Sequence, residues 1–172
     1  MSYQSGYYGG SDRGDGVSIT VDFWVRGLPQ TQGSVRAILP RGSKHPVVIH
    51  DRSKELAQWR AGIAAAASSV LQARGHGTFF EGPVRLSLEF FLQTPAGHAL
   101  RTPRQQWQWS APWRRPDLDK LQRAVLDALT GVLFSDDGQV VQLAAVKQYG
   151  QPGVHIVAEQ LQVSPPAVAV DR

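Results

Sequence analysis

Hydrophobic and polar residues alternate twice along the chain with the two-residue period of a half-buried strand. Val17, Ile19, Val21, Phe23 and Val25 interleave with Ser18, Thr20, Asp22, Trp24 and Arg26. Val84, Leu86, Leu88, Phe90 and Leu92 interleave with Arg85, Ser87, Glu89 and Phe91. Phe91 on the more polar side implies that a helix or a partner covers that face as well. Gly27-Leu28-Pro29 breaks the first strand, and residues 30–46 read as a basic loop with room for a short strand. Val47-Val48-Ile49 makes another short strand. Two stretches carry the helical period instead. From Ser53, an N-cap residue, to about Arg74, Leu56, Trp59, Ile63, Ala66 and Val70 form one stripe, and Gly75 closes the helix. Within 114–129, Leu118, Leu121, Val125, Ala128 and Leu129 share one face, while Asp119, Lys120, Arg123 and Asp127 share the other. Residues 140–149 and 154–163 read as two strands joined into a hairpin by Gly150-Gln151-Pro152-Gly153. The order ββαβαββ predicts an α+β fold, a mixed sheet of about four to five strands with two main helices packed on it.

A chain of 172 residues suffices for one domain with a core of its own. Residues 1–15, rich in Gly, Ser, Tyr and Asp, are expected to be a disordered tail, 16–163 the domain, and 164–172 a second tail. Residues 94–116 have no periodicity and form a long, basic loop. Arg101, Arg104, Trp107, Trp109, Trp113, Arg114 and Arg115 interleave there. Such a mixture suits stacking on unpaired bases and contact with phosphates, or else a tryptophan folded back as a core anchor.

Composition narrows the chemistry. There is no cysteine, which excludes disulfides, thiol nucleophiles and Cys-ligated zinc. The five histidines are scattered without metal-ligand spacing. The net charge is only +4, but the calculated pI near 9.8 leans towards a polyanionic partner. The polar N-terminus and the lack of a bilayer-length apolar run predict a soluble, cytoplasmic protein with no membrane contact.

The carboxylates of 114–129 admit two explanations. Asp117 is a good N-cap residue and Asp119 suits the first turn of a helix, where its charge is favoured by the macrodipole. Asp136-Asp137-Gly138 suits a turn. Arg123, one turn after Asp119, suits an i,i+4 ion pair with Asp119 or Asp127. Together, however, Asp117, Asp119 and Asp137 supply the hard oxygen ligands that Mg²⁺ prefers, and Arg123 supplies a cation for a phosphate. The residues alone leave both readings open.

The string from Arg115-Pro116-Asp117-Leu118-Asp119-Lys120-Leu121, through Leu126-Asp127-Ala128-Leu129-Thr130-Gly131-Val132, to Ser135-Asp136-Asp137-Gly138-Gln139-Val140 and Lys147, resembles the RusA-type Holliday junction resolvases. The resemblance is strong over about 114–150. It is weaker over 27–36, which is similar to the basic segment that follows the family's first strand. It implies a Mg²⁺-dependent endodeoxyribonuclease, with Mn²⁺ as a substitute ion, that acts as a homodimer on branched DNA and needs no organic cofactor. It implies catalytic roles for Asp117, Asp119 and Asp137, with Asp136 as a further candidate metal ligand. The family's essential lysine falls on Arg123, a guanidinium that can face a phosphate but does not move protons. Arg36, Arg114, Arg115, Lys120, Trp113 and Lys147 are the expected DNA contacts. A non-catalytic branched-DNA-binding protein of the same fold is the alternative.

Overall fold

The structure is a computed structural model, and it describes residues 19–33, 36–38, 47–49, 53–73, 75, 80–96 and 111–162. The tails expected at 1–15 and 164–172 lie outside these residues, as do Arg101, Arg104, Trp107 and Trp109 of the basic loop. The elements in chain order are β1 (Thr20–Arg26), β2 (Arg36–Ile38), β3 (Val47–Ile49), α1 (Ser53–Ala73), β4 (Val84–Leu92), α2 (Leu118–Leu129), a 3-10 turn (Asp137–Gln139), β5 (Val140–Tyr149) and β6 (Gly153–Gln160). The expected α+β architecture is present. A four-stranded mixed sheet in the order β1-β6-β4-β5 carries two helices, and β2 and β3 form a separate antiparallel pair.

The alternation in β1 and β4 is realised side by side with β6. Val21, Phe23 and Val25, then Val84, Leu86, Leu88 and Phe90, then Val154, Ile156 and Ala158 all turn to the buried face. Trp59, Ile63, Ala67 and Leu71 of α1 and Leu121, Ala124, Val125, Ala128 and Leu129 of α2 close over them in one core. Arg60 ties the two helices, with its guanidinium 3.5 Å from the Asp127 carboxylate and donating to the Asp127 carbonyl. The opposite face carries no helix among the described residues. Phe91 is half-buried there against Trp24, ring centroids 4.7 Å apart, and Trp24 in turn stacks on His155. Its neighbour on that face is therefore an aromatic side chain of β1 and not a covering helix. None of the described helices is long and apolar enough to cross a membrane.

The expected hairpin of the last two strands is not formed. β5 runs parallel to β4, and β6 lies on the other side of β4, antiparallel to it. The short link therefore steps across the end of β4, and Gly150 donates its N–H to the Leu92 carbonyl on the way. Glycine is required by this close passage. A Cβ at Gly150 would sit 2.8 Å from the Phe91 ring, and one at Gly153 would sit 2.6 Å from the Val25 carbonyl oxygen. The same Gly-Gln-Pro-Gly composition serves a tight turn and a tight crossing, which is why local sequence does not separate them.

β1, β4 and β5 all point the same way, so their C-terminal ends share one edge of the sheet. The start of α2 lies at that edge. Its far end lies at the opposite edge, where Phe80 donates to the Leu133 carbonyl just before β4.

Candidate metal and nucleic-acid site

Asp117 occupies the position before the first turn of α2, but its side chain makes no capping hydrogen bond. Its carboxylate is instead turned to the Lys120 ammonium, 3.0 Å away. The hydrogen bond and charge of Lys120, with Arg115 and Lys147 as weaker contributors, hold the Asp117 carboxyl below its ordinary value. Asp119 is exposed in the same first turn, and no described residue pairs with its carboxylate. Arg123 is exposed one turn on, and it forms no ion pair with Asp119 or Asp127 among the described residues. Asp127 is taken by Arg60. The expected cap is therefore not made at Asp117, whose carboxylate is ion-paired with Lys120 instead, and the expected i,i+4 pair is not made at Arg123 among the described residues. What stands at the start of α2 is two carboxylates among cations.

Other expected contacts gather there. Trp113 is 64% exposed, and the Arg114 guanidinium lies 4.8 Å from its ring centroid. Arg114 and Arg115 are both exposed. The segment after β1 comes in from the side, with the Gln32 N–H donating to the Lys120 carbonyl at 3.0 Å. The side-chain oxygen of Gln32 is buried there without a hydrogen-bond partner among the described residues. Gln32 is a contact that pattern reading missed, since nothing in its spacing marks it. The side chain of Arg36 lies outside the described residues.

Two of the expected residues are engaged inside the chain. Asp136 accepts a hydrogen bond from the Gly138 N–H at 2.7 Å, which commits one of its oxygens to the 3-10 turn. Lys147 does not project to solvent as a free cation. It donates to the carbonyls of Arg114 and Pro116, both at 2.8 Å.

Asp137 is exposed, and no described residue pairs with its carboxylate. It does not join Asp117 and Asp119 within the chain. α2, which opens at the aspartate pair and ends before Asp137, has 12 residues and spans about 18 Å. Asp137 then precedes the start of β5, whereas Lys147, near the end of β5, holds the segment before Asp117. Among the described residues, no three His, Asp or Glu side chains are grouped to hold a metal.

Gln139 anchors the Asp137 end. Its amide donates to the carbonyls of Phe80 and Gly82, at 2.8 and 2.9 Å. Its oxygen accepts from the Ser135 N–H and hydroxyl, at 2.9 and 2.7 Å. The amide nitrogen thus joins the turn to the segment before β4, and the oxygen closes the turn on Ser135. Each such bond has a net value of about 0.5–1.5 kcal/mol, so Gln139→Ala is expected to lose about 2–3 kcal/mol. A lower urea midpoint at unchanged slope is the check.

A family model described as Endodeoxyribonuclease RusA matches residues 31–159, most of the chain. The chain belongs to the RusA endodeoxyribonuclease family. The matched span takes in both ends of α2, the 3-10 turn and Lys147. Among RusA-like relatives, crossover junction endodeoxyribonuclease rusA of Lactococcus phage r1t is 38% identical over 66 residues, 38% of this chain and 44% of that protein. A Bacillus subtilis (strain 168) protein, YqaN, is 27% identical over 145 residues, 82% of this chain and 96% of its own length.

Proposed function

We propose that this RusA-family chain is a Mg²⁺-dependent, structure-selective endonuclease that resolves four-way DNA junctions by paired nicks as a homodimer. The observation that carries the reading is the start of α2. Asp117 stands at a capping position without capping, with Lys120 and Arg115 acting on its carboxylate, and Asp119 beside it has no partner among the described residues. Charge of both signs is displayed there, and among the described residues only Asp117 and Lys120 are ion-paired with each other.

The donor set fits a hard divalent cation. It is all oxygen, exposed enough for the ion to keep several waters, and two of its three carboxylates have no partner among the described residues to give up. Asp117, Asp119 and Asp137 would hold the ion. When bound, it supplies the Lewis acidity that favours attack of water on a phosphodiester. Because the aspartate pair and Asp137 occupy opposite ends of α2, Asp137 would come from the second copy. A two-fold dimer makes this exchange twice, which gives two centres for two strands.

The chain's own groups do the remaining work. Lys120 neutralises Asp117 in the ion's absence and is free to meet a phosphate once displaced. Arg123 stays protonated, so it steadies phosphate charge and moves no proton. Arg114, Arg115 and Arg36 hold the backbone, and Trp113 offers a stacking face. Asp136 is left out of the ligand set because its oxygen caps the turn.

The test is cleavage of a synthetic four-way junction against a linear duplex of the same sequence, with Mg²⁺ and with EDTA. Paired nicks in the junction with Mg²⁺ alone are expected. Junction binding without Mg²⁺-dependent nicks would establish the accessory-protein alternative instead.

A further inference from the structure

We infer that Lys147 is a positioning residue that clamps the segment entering α2, and so sets where Asp117 presents its carboxylate, and that it is not a DNA contact. The inference rests on the α2 site being the metal centre.

Lys147 lies on β5 opposite Phe90, whose side chain is fully buried, so both start from the helix side of the sheet. From that strand its ammonium reaches the carbonyls of Arg114 and Pro116 at equal distances of 2.8 Å. The Pro116 carbonyl belongs to the peptide unit that contains the Asp117 nitrogen. The Arg114 carbonyl belongs to the unit two places earlier. Both precede the first residue of α2, so no helical hydrogen bond holds them. Pro116 has no N–H of its own to tie the segment down. The ammonium therefore bridges the rigid sheet to the short run of backbone on which Asp117 is mounted. An ammonium has three N–H donors, and two are committed to this bridge. That leaves Lys147 poorly placed to serve as a mobile phosphate contact, unlike Lys120 or Arg123.

A partner that orients a metal ligand shows itself in metal affinity, typically by 10–100-fold on removal. A phosphate contact shows itself in DNA affinity and reduces the salt slope by about 1. The experiment compares wild type, Lys147→Met and Lys147→Arg. Mn²⁺ binding is titrated without DNA, by loss of the free-ion spin-resonance signal, and junction affinity is measured across salt concentrations in EDTA. Lys147→Met is expected to weaken Mn²⁺ binding by roughly 10–100-fold with junction affinity and salt slope unchanged. Lys147→Arg, which keeps charge and donors, is expected to recover most of the loss. Should Lys147→Met not fold, Lys147→Gln is read in its place by the same two measurements.

Unchanged Mn²⁺ binding in the neutral variant overturns the clamp, as does a salt slope lower by about 1 with weaker junction binding. If wild type binds Mn²⁺ with Asp119-dependent affinity and yet nicks no junction, the nuclease reading fails while the clamp is still decided by the variants.

Discussion

An equimolar mixture of Asp119→Asn and Asp137→Asn is expected to nick a four-way junction when neither variant does so alone. Each variant by itself should lose at least ~100-fold in rate, since loss of a ligand costs no less than loss of its supporting neighbours. The recovery follows from geometry. The aspartate pair opens α2, a helix of 12 residues that spans about 18 Å, and Asp137 lies beyond its other end. If Asp137 serves the second copy, a mixed dimer concentrates both substitutions in one centre and leaves the other intact. With free exchange of subunits, about one quarter of all centres are then whole. The nicks would be single and not paired, because the sister centre carries both defects. No recovery after verified subunit exchange would place the complete centre within one chain. Full activity of Asp137→Asn alone would remove that residue from the site.

Leu121→Ala is expected to cost about 2–5 kcal/mol, the range for a fully buried leucine whose surroundings relax only in part. Leu121 is fully buried, one turn into α2, and its N–H bonds to the Asp117 carbonyl. The lost side chain is thus the apolar anchor of the turn that carries both carboxylates. A domain of this size has about 5–15 kcal/mol to lose, so the variant should stay folded in the cold and melt many degrees lower. A thermal melt followed by circular dichroism gives the result. An unchanged melting temperature would mean that α2 is not held to the sheet as described.

The sheet and helices were legible because burial imposes its period on sequence. The alternation around Phe23 and Phe90 and the stripe from Leu121 to Leu129 each report one covered face, and each is covered as expected. The pairing of β5 was not legible, because period says which face is buried but not which strand lies alongside. Its Gly-Gln-Pro-Gly link has turn composition and yet crosses β4. At the candidate site, the uses of individual groups did not follow from residue type. Asp117 had the credentials of a cap and makes none, and Lys147 had those of a DNA contact and is spent on two carbonyls. The separation of the aspartate pair from Asp137 was not legible, because residue types do not say how the chain runs on after α2.

The central claim is that the carboxylates opening α2 make a metal-dependent nuclease centre and not a surface. Wild type and Asp119→Asn, compared on the same labelled four-way junction in Mg²⁺ with binding measured in parallel, test it most directly. The expected result is equal binding by both proteins, with paired nicks from wild type alone. Nicking by Asp119→Asn at the wild-type rate would contradict it.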